Sequence, residues 1–526
     1  MASCSGDGLS LKQKIGQMIV VRASGQALDH GRAYPQWEAT QEQLTYWLRE
    51  LNIGGVILLG GTASEVMART QQLQRLAPNP LLIAADIEEG VGQRFTGATV
   101  LPPPMALGAI AKQDLPLAKR CAYDYGKITA QEALAIGINW ILAPVADINN
   151  NPSNPVINVR AFGEEPRIVK ELITAFINGA APYPALTTVK HFPGHGDTDL
   201  DSHLDLPTLT HHLDRLTNLE LIPFIAGLEA GVDSVMTAHL LIEAWDQQWP
   251  ATLSPSCGHY LRHTLNYDGL IVTDALIMGG VTNQYDPITI ARQAVLGGAD
   301  ILLMPQEPTV AIDAIATAVE QDLISLDRIN QSYQRIQTAK AKLAFNSTPP
   351  SLNQLLQTPA AIELSRNILV HSQINTLPSP VAMTAAPGAN VIIVDRLLFG
   401  DFLSHQSPAL TIPKSWGYPT FILEQPHLHF PTDQYDRFLI QIFSRGNPFK
   451  GKVNLSSELI HTLEQLNAHH PIVAIVIYGS PYLSTQLPST IPVIFSYGQM
   501  PLAQAIALQA LTAMSGNENL TKQEFT

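Results

Sequence analysis

The chain is short of cysteine, short of charge and without a long apolar run, and each shortage removes a class of protein. Its 526 residues hold 3 cysteines, Cys4, Cys121 and Cys257. An odd and widely spaced set does not suggest a disulfide framework, and without a Cys-x-x-Cys pair a thiolate zinc site is not expected. Charged residues make up 14%, and 31 Lys+Arg stand against 45 Asp+Glu, a net charge of −14. No basic footprint is present, so neither nucleic acid nor an anionic membrane surface is an expected partner. No apolar run approaches the ~20 residues of a bilayer span. The opening residues 1–11 have neither the basic start nor the apolar centre of a secretion signal, so a cytoplasmic protein is expected. The C-terminal third contains no Gly-x-Gly-x-x-Gly and no P-loop, and no cofactor is implied.

What is present is apolar material for a large core, 46% of the residues, distributed in a regular way. Short β-rich runs at residues 16–22, 55–59, 81–85, 139–144, 185–189, 233–237, 269–273 and 300–304 alternate with helical patterns. The runs lack period-2 alternation, as strands buried on both faces do. Strand–helix alternation of this length predicts a (β/α)8 TIM-type barrel, with a doubly wound open sheet as the competing topology. The helix from about residue 64 is expected to start at Ser64 as N-cap, and Gly137, Gly231 and Gly298 are placed to end helices. The expected organisation is a barrel over residues 1–345, a helical linker over 346–374, and a smaller α/β domain over 375–526. That second domain is read as an open parallel sheet in an αβα sandwich, and residues 516–526 as a frayed polar tail.

Barrel enzymes place their chemistry just beyond the C-terminal ends of the strands. Here the third run ends in Asp86, with Glu88 next. The fourth ends near Asp147, the fifth in Lys190-His191, the sixth in His239 and the seventh in Asp274. The most specific stretch is Lys-His-Phe-Pro-Gly-His-Gly-Asp-Thr-Asp-Leu-Asp-Ser-His at residues 190–203. Its His and Asp residues follow no recognised metal-ligand spacing, so no metal is expected. His195, Asp197 and Asp199 are read as holding the loop through hydrogen bonds. Asp201 and His203 differ, because a carboxylate two residues from an imidazole can orient it and support its charge. Asp274 offers a carboxylate nucleophile. One carboxylate and one proton shuttle are the minimum for double-displacement glycoside hydrolysis.

Residues 190–203, the Asp274 segment, and Asp86-x-Glu88 with Gln93-Arg94-Phe95 together resemble glycoside hydrolase family 3. More narrowly they resemble its bacterial β-N-acetylglucosaminidase (β-hexosaminidase) branch, of the peptidoglycan-recycling type. The likeness covers roughly residues 10–345, with an α/β second domain as in larger members. It implies Asp274 as nucleophile, His203 as mobile-loop acid/base and Asp201 as its dyad partner. It further implies Asp86, Arg94, Arg160, Lys190 and His191 as the residues gripping sugar hydroxyls, with Met304 lining the pocket. Two positions depart from the family pattern: Glu89-Gly90-Val91 replaces Gly-Gly-Arg, which would alter the pocket rim, and Thr273 stands where Ser is common. In β-glucosidase members a second-domain carboxylate is the acid/base; here the fifth loop supplies its own.

The expected activity is that of a retaining exo-β-N-acetylglucosaminidase acting on a terminal β-linked amino sugar, without metal or cofactor. The rivals are a β-glucosidase or β-xylosidase on the same scaffold, and a non-catalytic sugar-binding barrel. A neutral imidazole repels anions less than a carboxylate does, which leaves phosphate open as an acceptor in place of water.

Overall fold

The apolar runs become the staves of a closed barrel. In the computed structural model all residues are described except 1–7, 27, 33–34, 344–351, 384–386, 396–401, 426–430, 447–452 and 513–526. The Ser-Thr-Pro-Pro stretch at 347–350, which reads as a turn within the linker, and the tail at 516–526 lie outside the described residues. The barrel strands are β1 (Ile19–Ala23), β2 (Gly55–Leu58), β3 (Leu82–Ala85), β4 (Trp140–Ile141), β5 (Leu186–Phe192), β6 (Ser234–Thr237), β7 (Leu270–Thr273) and β8 (Leu302–Leu303). They are hydrogen-bonded in the order β7-β6-β5-β4-β3-β2-β1-β8, each neighbouring pair parallel. A bridge between Val272 and Ile301 joins the two ends, with the Thr273 N–H donating to the Ile301 carbonyl at 3.1 Å. The sheet therefore closes, and the open-sheet alternative is excluded. Every residue of these eight strands is buried. One face lines the barrel interior and the other lies under helices, which is why no alternation was visible in the sequence.

The helices carry their apolar residues at i, i+3 and i+4 spacings. Pro166–Ala180, for example, buries Ile168, Val169, Leu172, Ile173 and Phe176. It packs against Leu115–Ala135 at unusually short range. A Cβ on Gly126 would lie 2.1 Å from the Phe176 carbonyl oxygen, and one on Gly179 would lie 1.9 Å from that of Tyr123. Only glycine permits the two backbones to approach this closely. Gly137, Gly231 and Gly298 take positive φ after helices, as expected. The expectation at Ser64 is corrected: the N-cap of Ala63–Leu76 is Thr62. Its Oγ1 accepts from the Glu65 N–H, and the Glu65 carboxylate accepts from the Thr62 N–H. This reciprocal pair satisfies two orphan donors, which Ser64, already inside the first turn, could not do. The apolar pattern of residues 215–228 reads as one helix, but the chain forms two there, Leu213–Asn218 and Leu221–Glu229.

The described residues form two compact units, one of residues 1–365 and one comprising 366–446 and 453–526. The second unit holds β9 (Ile374–Asn375), β10 (Gly388–Val394), β11 (Thr420–Glu424), β12 (Arg437–Ser444), β13 (Ile472–Gly479) and β14 (Val493–Ser496). Their order is β9-β14-β13-β12-β10-β11, all parallel except the short edge strand β9. This is a doubly wound sheet that reverses direction beside β10. Helices Pro408–Ser415, Ser457–His469 and Pro501–Thr512 connect or follow its strands.

One buried carboxylate ties the barrel together just before β8. Asp300 has no exposure, and it accepts from Arg262, from Arg328 at 3.4 Å, from Arg335 at 3.5 Å, from Ser332 at 2.7 Å and from the Ile271 N–H at 3.0 Å. Replacing it by Asn keeps the volume but leaves the part-buried guanidinium groups of Arg262 and Arg328 without their anion and Arg335 with Asp268 alone. We expect Asp300→Asn to lose about 3–5 kcal/mol of unfolding free energy, measured by urea denaturation; a loss under about 1 kcal/mol would mean the charge is solvated.

Candidate active site

Loops leaving the C-terminal ends of β3, β4, β5 and β7 bring titratable groups to one rim. Lys190 lies within β5 and is 1% exposed, too deep to be solvated. Its Nζ donates to Asp86 Oδ1 at 2.7 Å and to Glu88 Oε1 at 2.6 Å. Arg160 meets the same Glu88 with two parallel bonds, Nε to Oε2 and Nη2 to Oε1, both 2.7 Å. The planar guanidinium matches the carboxylate and fixes both groups. Burial alone would neutralise Glu88, but Arg160 and Lys190 outweigh it and hold the carboxyl well below its ordinary range. Burial likewise opposes the charge on Lys190, and Asp86 with Glu88 reverses that and raises its pKa.

A second buried pair adjoins the first. Asp147 has no exposure, and its Oδ2 accepts from His191 Nδ1 at 2.7 Å while its Oδ1 accepts from the His195 N–H at 2.7 Å. The His191 tautomer is thereby set, with Nε2 turned towards Arg160 Nη2 at 3.5 Å. Asp86, Glu88, Arg160, Lys190, His191 and Asp147 thus form one connected network.

Asp274 follows β7 directly. Its N–H donates to the Thr237 carbonyl at 3.1 Å, and its Oδ1 accepts from the Ala275 N–H at 2.7 Å. Burial pushes its pKa up, but the imidazoles of His239, His191 and His203 and the Ala275 N–H lower it to about 2. The carboxylate is therefore an anion across the range in which enzymes work. His239 is buried between Thr252 Oγ1 and the Ala275 carbonyl, each 3.0 Å away, and burial lowers its pKa.

The loop after β5 carries the acid–imidazole couple. Asp201 Oδ1 accepts from His203 Nδ1 at 2.8 Å and from the His203 N–H at 2.9 Å. Nδ1 is occupied by the carboxylate, so Nε2 is the nitrogen placed to exchange a proton. His195, expected to hold this loop, spans it from Thr198 Oγ1 to Ser202 Oγ, both 2.8 Å away, and burial lowers its pKa to about 4. Asp197 accepts from His211 at 2.8 Å and Arg215 at 2.5 Å, while Asp199 is exposed. Asp197, His211 and Glu220 place ligand atoms within 4.8 Å of one another, the spacing of a metal site. The Arg215 guanidinium already contacts both carboxylates, at 2.5 and 3.2 Å, and supplies the cation there.

Two expected residues stand apart from the network's side-chain pairing. Arg94 is exposed, and its Nε donates to the Asp86 carbonyl at 3.2 Å. Met304 is buried after β8 with φ +51°, a conformation disfavoured for a residue with a side chain. Glu89, expected to alter the rim, is buried. Glu88, Asp147 and His239 are legible as rim groups, but the sequence assigns them no task. Their part in the site is to neutralise and orient the others, and the only sequence signal for it is a carboxylate or imidazole at each strand end.

Against protein-family models, residues 10–339 match the glycosyl hydrolase family 3 N-terminal domain, and residues 382–513 match the bacterial glycosyl hydrolase family 3 C-terminal domain. The chain belongs to glycosyl hydrolase family 3. Among curated relatives it is 33% identical to Beta-hexosaminidase A of Pseudoalteromonas piscicida over 352 residues, which is 60% of this chain and 58% of that protein. It is 31% identical to a Beta-hexosaminidase of Xylella fastidiosa over 280 residues, 51% of this chain and 82% of the other. A solved family 3 beta-N-acetylglucosaminidase from Paenibacillus superposes with a TM-score of 0.82 at 31% identity, covering 97% of this chain and 98% of that one.

The low pKa of Asp274 has a consequence for stability. An unfolded aspartate titrates near ~3.9, and this one near about 2, so the folded state favours the anion. The contribution, about 2 kcal/mol, is complete above pH ~5, the start of the range over which such a depressed carboxyl titrates, and is lost as the pH falls towards 2. The difference in unfolding free energy between the parent and Asp274→Asn should accordingly narrow by about that amount from pH 5 to pH 2. Urea titrations at stepped pH check this, and a constant or widening difference contradicts it.

Proposed function

We propose that this chain is a retaining exo-β-N-acetylglucosaminidase that removes a terminal, non-reducing, β-linked N-acetylhexosamine, and that recycling of peptidoglycan fragments is its setting. The observation that carries the reading is the pairing of two unlike groups on one rim. Asp274 is an anion ready to attack, and His203 is an imidazole backed by Asp201 at 2.8 Å. The names of the Paenibacillus, Pseudoalteromonas and Xylella proteins support the choice of an N-acetylated amino sugar.

The sugar is gripped by Asp86, Lys190, Arg160 and His191, with Arg94 and Met304 at its edges. Asp274 attacks the anomeric carbon while His203 gives its Nε2 proton to the departing glycosidic oxygen. A glycosyl-aspartate forms. His203 then takes a proton from the incoming water, which attacks the same carbon and releases Asp274. Two displacements return the original configuration. Asp201 holds the tautomer and stabilises the imidazolium. Arg160 and Lys190 are already neutralised by carboxylates, so they donate hydrogen bonds to hydroxyls without demanding an anionic substrate.

A panel of p-nitrophenyl β-glycosides tests the substrate class. Turnover of the 2-acetamido sugar should exceed that of the glucoside and xyloside; preference for either of these would make the chain a β-glucosidase or β-xylosidase, and binding without turnover would make it a sugar-binding barrel. Asp274→Ala should abolish turnover on every substrate. His203→Ala should lose about 10²–10⁴-fold on a natural glycoside and much less on an activated aryl glycoside, whose leaving group needs no proton. Equal loss on both removes His203 from the role of proton donor.

A further inference from the structure

The loop carrying Asp201 and His203 is bound, by backbone, to the segment that follows Asp274. The short helix Gly279–Thr282 begins five residues after that aspartate. First-turn amides have no partner within their own helix. Here they find partners in the loop: the Gly279 N–H donates to the His203 carbonyl at 3.1 Å and the Gly280 N–H to the Ser202 carbonyl at 3.0 Å. The side-chain amide of Asn283 donates to the Leu204 carbonyl at 3.0 Å. Three consecutive carbonyls, 202 to 204, are thus held by one short stretch.

Space at this contact is tight. A Cβ on Gly279 would lie 2.8 Å from the carbonyl oxygens of both His203 and Leu204. One on Gly280 would lie 2.7 Å from the Ser202 oxygen and 3.3 Å from His239 Cβ. Neither glycine has a positive φ, so the backbone conformation does not require glycine; the close approach does. The other side of the loop is held as well, by His195 Nε2 on Ser202 Oγ at 2.8 Å and by the Asp201 carbonyl accepting from the Leu204 and Asp205 N–H groups at 2.9 and 3.0 Å.

We infer that Gly279, Gly280 and Asn283 are positioning residues, a backbone dock that sets the acid–imidazole couple in register with Asp274 so that the proton arrives where the bond breaks. The inference rests on the roles proposed above for His203 and Asp274. A dock built on the chain of the nucleophile itself makes any shift of the β7 loop carry the proton donor with it. Displacing the donor by an ångström costs most where the leaving group depends on its proton, and little where it does not.

The test compares Gly280→Ala, Gly279→Ala and Asn283→Ala with the parent chain, using His203→Ala as reference. The substrates are N,N′-diacetylchitobiose, with a poor leaving group, and an activated aryl β-N-acetylglucosaminide; kcat/KM is read for both. Gly280→Ala and Gly279→Ala should lose about tenfold on the disaccharide and less than about threefold on the aryl glycoside, a weaker copy of the His203→Ala pattern. Asn283→Ala removes a bond and adds no atom. It should show the same skew at a few-fold, and it decides the matter if the alanine variants of the glycines do not fold. Equal losses on the two substrates, or none, overturn the dock. If His203→Ala shows no skew, the acid/base reading has failed and the dock falls with it; if His203→Ala shows the skew and the others do not, the dock alone has failed.

Discussion

A buried ammonium at the end of a strand is the constraint from which the site's geometry follows. Lys190 points into a region where an unpaired charge would cost several kcal/mol or lose its proton. Two carboxylates from the β3 loop neutralise it, and one of these, Glu88, needs a second cation, because it is buried as deeply as the lysine. Arg160 fills that need with both of its parallel donors. The guanidinium then stands beside His191, which Asp147 has already oriented. No member can move without stranding a charge, so the side of the pocket that would hold the sugar is rigid before any ligand arrives.

The histidines of the rim differ in their surroundings, and the differences sort their uses. His195 and His239 are wholly buried, and burial lowers the pKa of each. A neutral imidazole with both nitrogens in hydrogen bonds is a brace. His191 has one nitrogen committed to Asp147. His203 is the partly exposed one, with a side-chain exposure of 21%, and has a carboxylate at Nδ1. A group that must give and take a proton within each turnover needs access to solvent and substrate together with a partner that supports its charge. Of these four, His203 meets both conditions best.

Much of this was legible in the chain. Eight strands could be read because burial on both faces gives unbroken apolar runs, and the rim could be read because a parallel barrel turns the end of each strand into a place for chemistry. What was not legible has several physical causes. Glu88 and Arg160 are 72 residues apart, Lys190 and Asp86 are 104 apart, and no local pattern announces that they meet. Strand β11 is a partly exposed edge, and its run Thr420–Glu424 lacks the signature of a strand buried on both faces. Helix Pro408–Ser415 contains Pro413, which a propensity reading takes as a breaker. At the start of Ala63–Leu76, Ser64 stands nearer the apolar stripe, but the Glu three residues after Thr62 marks Thr62 as the cap.

The two halves of the rim are built on opposite physical principles. Around Lys190 the groups are locked by charge in a low dielectric, where a loss of pairing is costly and motion is suppressed. Around His203 the locks are backbone hydrogen bonds to glycine amides, each worth only about 1 kcal/mol net, in a loop whose outer residues are exposed. In the reaction proposed above, the locked grip would fix the sugar ring against the attacking carboxylate. Under the same proposal the backbone bonds to Gly279 and Gly280 keep the proton donor in register with Asp274. The contrast follows from what each half carries: charges buried in the grip must be paired where they stand, whereas the donor loop, with its outer residues exposed, is set by backbone bonds to the segment after Asp274.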